Sequence, residues 1–170
     1  MPNRSFIALL FWLCFAFAPS ARAVEAINFN FTDIAGKTYH LSDLKGKWVL
    51  VNFWAPWCPP CWKELPDLDD LQKQRSDIVV IGIAMDYNSA DSVQYLLKKH
   101  KITFPIVMGG KSRGENSMIS QVGPVPFYPT SYLYAPDNQM VMVKMGMVDQ
   151  DIINQFIHGY NLDKDQKKLN

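Results

Sequence analysis

The stretch "NFWAPWCPPCWKELP", Asn52 to Pro66, holds two of the chain's three cysteines, Cys58 and Cys61. It overlaps "WVLVNFWA", Trp48 to Ala55, a near-continuous apolar run of strand length, which is the pattern of a central buried strand. Pro59 to about Arg75 then reads as a helix, with Leu65, Leu68 and Leu71 at spacings of three and Pro66 inside it as a kink. The two cysteines therefore fall at a strand-to-helix turn.

That placement has a chemical meaning. Residues i and i+3 lie one helical turn apart, so the two sulfurs can bond with little backbone motion. Cys58 sits at the N-cap edge, where unsatisfied N–H groups and the helix dipole favour an anion. A thiol there has a lowered pKa and is the attacking nucleophile. Cys61, inside the first turn, is the resolving cysteine that breaks the mixed disulfide. Pro59 and Pro60 suit a first turn but carry no N–H, so neither can donate to a Cys58 thiolate. Cys61 N–H remains. The expectation is a moderately lowered pKa, a stiff loop, and a reductant or intermediate-potential exchanger rather than a strong oxidant. Two other readings compete. A structural zinc needs four ligands, and beyond the pair there are only the scattered His40, His100 and His158. A purely structural staple over so short a loop would remove little chain entropy.

The N-terminus bears on the redox compartment. Arg4 precedes a 13-residue apolar run, Phe6 to Ala18, followed by Pro19, Ser20 and "ARA" at Ala21 to Ala23. Residues 1–23 read as a secretory signal peptide cleaved after Ala23, since the run is shorter than the ~20 residues of a spanning helix. An uncleaved membrane anchor is the alternative, kept open by Arg22. Leu13 disfavours lipoprotein processing at Cys14. Cleavage leaves 147 residues, with 15 basic against 16 acidic side chains, a net charge of −1. Cys58 and Cys61 are then the only cysteines, in an oxidising compartment. The near-neutral charge gives no reason to expect nucleic acid. A 48% hydrophobic content suits one packed domain, taken as residues 24–160, with a polar tail over 161–170.

Along that domain, "INFNFTDIAGKTYHLSDLKGK", Ile27 to Lys47, predicts a hairpin broken at Ala35-Gly36. Ile78 to Met85 predicts a second buried strand and Ser89 to Lys99 an amphipathic helix. "FPIVMG" predicts a short strand, and Ser112 to Gln121 a weaker helix. "SYLYA", the turn "PDNQ" and "MVMVKMGM" predict an antiparallel hairpin, and Asp149 to His158 a closing helix that ends at Gly159. The alternation argues for an α/β fold: a mixed central sheet with helices on both faces and an N-terminal β-hairpin extension.

"VLVNFWAPWCPPC" resembles the active-site strand and helix of the thioredoxin superfamily, in particular the exported TlpA/ResA-like thiol-disulfide oxidoreductases. Their pattern is matched by Asn52, Phe53, Trp54, Trp57, Cys58, Pro60, Cys61, Glu64 and Pro66. "YPTSYLYAPDNQMV", Tyr128 to Val141, resembles a second block of the same family, about 70 residues downstream. The resemblance spans roughly Asn28 to His158 and implies a thioredoxin fold. It also implies that Pro129 is a cis-proline facing the disulfide, with Pro126 as the rival position. Tyr128 would then offer its backbone to an extended substrate strand. The run "GPVPFYPT" is richer in proline and aromatics than the usual family loop, so Phe127 and Tyr128 can form an apolar platform.

Several residues are candidates for the chemistry. Asn52 stands where cytoplasmic thioredoxins carry a buried proton-accepting Asp, and it cannot titrate. Glu64, three residues after Cys61, is then the best proton carrier, unless it is a solvated or lysine-paired helix carboxylate. Asp86 is a weaker candidate. Trp57, Pro59, Pro60, Tyr128 and Pro129 are the expected substrate-binding residues, with Trp54 and Trp62 flanking the site. Met140, Met142, Met145 and Met147 suggest copper, but strand alternation splits them between two faces, so they read mainly as packing.

The expected activity is protein-disulfide reduction in the periplasm. By resemblance, a membrane donor of the DsbD/CcdA type would recharge the pair, and substrates of the cytochrome c maturation or copper-site assembly type would be reduced. The sequence shows no nicotinamide, flavin or metal motif, so no cofactor is expected. The alternatives are a disulfide-introducing oxidase and a non-enzymatic copper-handling chaperone. A peroxidase needs a different cysteine setting.

Overall fold

The computed structural model describes residues 28–169. The expected leader, residues 1–23 with Arg4, Cys14 and Arg22, lies outside the described residues. The N-terminal hairpin pairs β1 (Asn30–Thr32) antiparallel with β2 (Thr38–His40). Its turn is held by Asp33, whose Oδ1 accepts from the Ala35 and Lys37 N–H groups at 2.9 Å each. Gly36 supplies the left-handed residue there, at φ 85°. A 3-10 turn, Leu41–Leu44, leads into β3 (Trp48–Trp54).

All seven residues of β3 are buried, and this follows from its central position. The sheet order is β5-β4-β3-β6-β7. Here β4 is Ile78–Met85, β5 Ile106–Gly110, β6 Thr130–Tyr134 and β7 Met140–Met145. Strands β3, β4 and β5 run parallel, while β6 and β7 are antiparallel to their neighbours. The parallel connections pass through α1 (Pro59–Gln74) and α2 (Ala90–Lys99), and α3 (Gln150–Leu169) closes the chain. This is the expected mixed sheet with helices and a hairpin extension.

Strand alternation divides the interior into two cores. On one side, Trp48, Leu50 and Trp54 of β3 meet Leu65, Leu68 and Leu71 of α1, Val93 and Leu97 of α2, and Ile153 and Ile157 of α3. On the other, Val49, Val51 and Phe53 meet Phe29, Phe31, Tyr39 and Leu41. Each buried leucine of α1 contributes strongly, since truncation to alanine at such sites costs about 2–5 kcal/mol. Asp69 anchors α1 at its other edge. It accepts from Thr103 N, Thr103 Oγ1 and Phe104 N at 2.6, 2.8 and 3.1 Å, and from Lys73.

The structure departs from expectation in three places. The weak helix predicted over 112–121 is a series of turns. Asn116 there is left-handed (φ 67°), and Ser117 and Ser120 hydrogen-bond each other's backbone, which competes with a helical ladder. The segment still covers the second core through Ile119 and Val122. Against the expectation of helices on both faces of the sheet, the second face is roofed by the hairpin, the 3-10 turn and this loop, whereas the buried apolar residues of all three α-helices fall in the first core. Finally, α3 does not stop at Gly159 but continues through the polar tail to Leu169. Tyr160, packed edge-on against Trp48 at 5.4 Å, holds the helix beyond the glycine, and Lys164 pairs with Asp137 at 2.7 Å. Its start agrees with expectation: Asp149 accepts from Ile152 N at 2.8 Å.

Candidate active site

Cys58 and Cys61 form a disulfide, with Cα atoms 5.4 Å apart. Cys58 is the N-cap of α1, and Pro59 and Pro60 occupy its first two helical positions. Cys58 Sγ accepts from Cys61 N at 3.3 Å, the single backbone donor that the prolines leave in the first turn. Within α1 Cys61 is fully buried and Cys58 nearly so, at 3% exposed, whereas Pro59 and Trp57, on either side of Cys58, are exposed.

A polar network lies in the otherwise apolar first core. Asn52 shares the face of Leu50 and Trp54 on β3, so its side chain points under α1. Its amide nitrogen donates to Glu64 Oε1 at 2.7 Å and to Ser131 Oγ at 2.9 Å. Glu64 Oε2 accepts from Val148 N at 2.9 Å. Glu64 is fully buried, so it is neither solvated nor lysine-paired. Burial pushes its carboxyl up to about 7, although the bonds from Val148 and Asn52 oppose the rise. It therefore stands one turn beyond Cys61, poised to hold or release a proton near neutral pH.

A second group lines a groove of about 370 Å³ whose wall includes Trp57, the residue before Cys58. The Tyr128–Pro129 peptide is cis, at the position that the sequence favoured over Pro126. The Tyr128 ring stands edge-on to Trp57 at 5.8 Å, which brings the proline loop beside the redox pair. Asp86 belongs here and not to the Asn52–Glu64 network. Its Oδ2 accepts from Tyr128 Oη at 2.9 Å and Arg113 Nη2 at 2.6 Å, and its backbone carbonyl from Trp57 Nε1 at 3.2 Å. Of the two residues expected to form an apolar platform, Phe127 is 51% exposed, whereas Tyr128 is half-buried with its hydroxyl held by Asp86 and Arg113; the exposed aromatic beside them is Trp57, at 63%.

The other candidates divide between packing and surface. Trp54 is buried, and Trp62 packs edge-on to it at 5.0 Å while stacking on His100 at 4.5 Å. Met142 packs against the first core, but Met140, Met145 and Met147 are exposed on and just beyond edge strand β7. Sequence reasoning missed Arg113, Ser131 and the Val148 N–H. Ser131 is legible only once β6 is paired with β3, because it lies directly across from Asn52. Arg113 has no local signal at all.

Comparison with known proteins agrees with this geometry. The AhpC/TSA family matches residues 23–139. A thiol-disulfide oxidoreductase ResA of Bacillus thuringiensis subsp. konkukian is 33% identical over 136 residues, covering 78% of this chain and 75% of the relative. The ResA of Bacillus subtilis is 31% identical over 138 residues, covering 79% and 73%. Among solved structures, the exposed lipoprotein thioredoxin of Streptococcus pneumoniae superposes with a TM-score of 0.65 at 29% identity, over 78% of this chain and 98% of that one. StoA of Bacillus subtilis superposes with a TM-score of 0.62 at 25% identity, over 76% and 96%.

Proposed function

The chain belongs to the AhpC/TSA family and is a thiol-disulfide oxidoreductase of the ResA and StoA type, and from that premise we propose that it reduces disulfides in exported partner proteins. The observation that carries this direction is the N-cap of α1, where Cys58 has one backbone donor and two prolines. A sparsely stabilised thiolate favours giving electrons away over taking them.

In the cycle, the Cys58 thiolate attacks one sulfur of the partner's disulfide. That S–S bond breaks as the mixed disulfide forms, and the departing partner thiolate takes up a proton. Cys61 then loses its proton to Glu64 and attacks Cys58 Sγ. The Cys58–Cys61 disulfide forms, and the partner's second sulfur leaves as a thiolate and is protonated. Two electrons and two protons pass to the partner. Trp57, Pro59 and Pro60 flank the attacking sulfur, and Tyr128 and Pro129 present backbone to the partner chain. A membrane donor of the DsbD/CcdA type returns the electrons in the periplasm, and the partners are proteins of cytochrome c maturation or copper-site assembly.

The reduction potential of the Cys58–Cys61 pair tests the direction. A value of about −200 mV or lower, with turnover of a protein disulfide, supports the reductase, whereas one near −120 mV makes the protein an oxidase. Cys61→Ser should trap partners as mixed disulfides at Cys58. Recovery of a random set of proteins would count against dedicated partners.

A further inference from the structure

Three chain segments meet at one carboxylate beside the redox pair. Asp86 follows β4 with a left-handed backbone, φ 51°, an unusual conformation for a residue with a side chain. Its carbonyl holds the Trp57 indole, and its carboxylate holds the Tyr128 hydroxyl and the Arg113 guanidinium. Arg113 donates to Tyr128 Oη as well, and its other terminal nitrogen donates to the Lys111 carbonyl at 3.2 Å, bracing its own loop. The residue before cis-Pro129 is therefore gripped from two sides, by groups that come from the end of β4 and from the turns before it.

This arrangement is poorly explained as a device for folding. Arg113 and Asp86 are partly exposed, and such pairs contribute little to stability. Neither they nor Trp57 belongs to either core. What the cluster does accomplish is to fix two aromatic rings, Trp57 and Tyr128, in the wall of a solvent-open groove that begins one residue before Cys58.

We propose that Arg113 is a positioning residue: through Asp86 and Tyr128 it presets the groove as a seat for the extended polypeptide flanking a partner's disulfide, with an apolar side chain of that polypeptide between Trp57 and Phe127. The inference rests on the disulfide-reductase reading above. Arg113 touches neither sulfur, so its contribution is to hold the seat before the partner arrives. A preset seat spares the ordering of a loop on binding. Its loss raises KM and leaves the sulfur chemistry to Cys58 and Cys61. The ion pair of Arg113 is already satisfied by Asp86, so the groove selects an apolar neighbour of the target cysteine over an acidic one.

The test compares two substrates, insulin, which offers a polypeptide to seat, and hydroxyethyl disulfide, which offers none. In Arg113→Ala the ratio of kcat/KM for insulin to that for hydroxyethyl disulfide should fall about tenfold, with the loss in KM. Arg113→Lys, which keeps a cation against Asp86, should recover part of it. Tyr128→Phe keeps the ring but not the hydroxyl, and should lower the ratio in the same direction by a smaller factor. An unchanged ratio in both Arg113→Ala and Tyr128→Phe, or a loss confined to kcat, would overturn the proposal. Wild-type protein that reduces neither substrate would instead overturn the reductase reading.

Discussion

The Asn52 side-chain amide donates to Glu64 Oε1 at 2.7 Å, joining the central strand to the active-site helix inside an apolar core. The buried titrating group of this contact therefore sits on α1, not on β3. The strand contributes an uncharged donor, and the helix carries the ionisable carboxyl one turn past Cys61.

Glu64 should make stability depend on pH. Its carboxyl is raised from 4.5 to about 7 in the folded chain, because burial disfavours the charge. A raised folded value means that the native state binds the proton more tightly than the unfolded chain does. The stability is then fully present below pH 4.5 and is lost as pH rises through about 7. The size of the effect is about 3 kcal/mol. Since Gln is neutral throughout, the unfolding free energy of the wild type should fall relative to Glu64→Gln by roughly that amount across this window. Urea unfolding of both oxidised proteins as a function of pH measures it. A pH-independent difference would show that Glu64 ionises as freely as in water.

The same carboxyl should shape the second half of the reaction. If Glu64 takes the Cys61 proton, Glu64→Gln slows partner release by about 10²-fold or more. Formation of the mixed disulfide by Cys58 should change far less. Single-turnover kinetics resolve the two steps. The wild-type release step should rise with pH through an inflection near 7, and the variant should lose that inflection. Equal slowing of both steps would assign Glu64 to architecture alone.

Asp69 tests the anchoring of α1. Burial would raise its carboxyl, but the bonds from Lys73, Thr103 and Phe104 outweigh that and hold it below the usual carboxylate range. A depressed value contributes stability above the unfolded pKa of 3.8, and the contribution is lost as pH falls through the lower folded value. Asp69→Asn puts an amide against donor N–H groups and should cost about 2 kcal/mol at neutral pH, less at pH 3. Chemical denaturation at the two pH values checks this, and equal losses at both would refute the assignment.

The redox pair and the cis-proline were legible because their chemistry is local. Cys58, Cys61 and the prolines between them need only one helical turn to be understood, and Pro129 sits in a short block beside it in the sheet. The burial of Glu64 was not legible in the same way. A helix carboxylate is usually exposed, and only the packing of α1 over the Asn52 face of β3 buries it. Arg113 was hidden further, because its partners lie 15 and 27 residues away and its segment carries a faint helical pattern that Asn116 and the Ser117–Ser120 bonds override. The tail erred in the opposite direction. Gly159 reads as a stop, yet Tyr160 against Trp48 supplies packing that outweighs one glycine, whose cost is about 1 kcal/mol.

The two prolines of the redox loop make the sharpest prediction about direction. At the N-cap, a thiolate can accept from the second and third helical residues, and here Pro60 silences the second. Pro60→Ala restores that N–H without adding charge. A hydrogen bond to a charged group is worth about 1.5–3 kcal/mol, so the Cys58 thiol should titrate about one to two units lower. Stabilising the thiolate stabilises the reduced form, so the pair becomes more oxidising by about 30 mV or more. Equilibration with glutathione gives the potential, and thiolate absorbance as a function of pH gives the titration. Both should move together, toward oxidase behaviour. A variant with unchanged potential and titration would mean that something other than missing backbone donors sets the poise of Cys58.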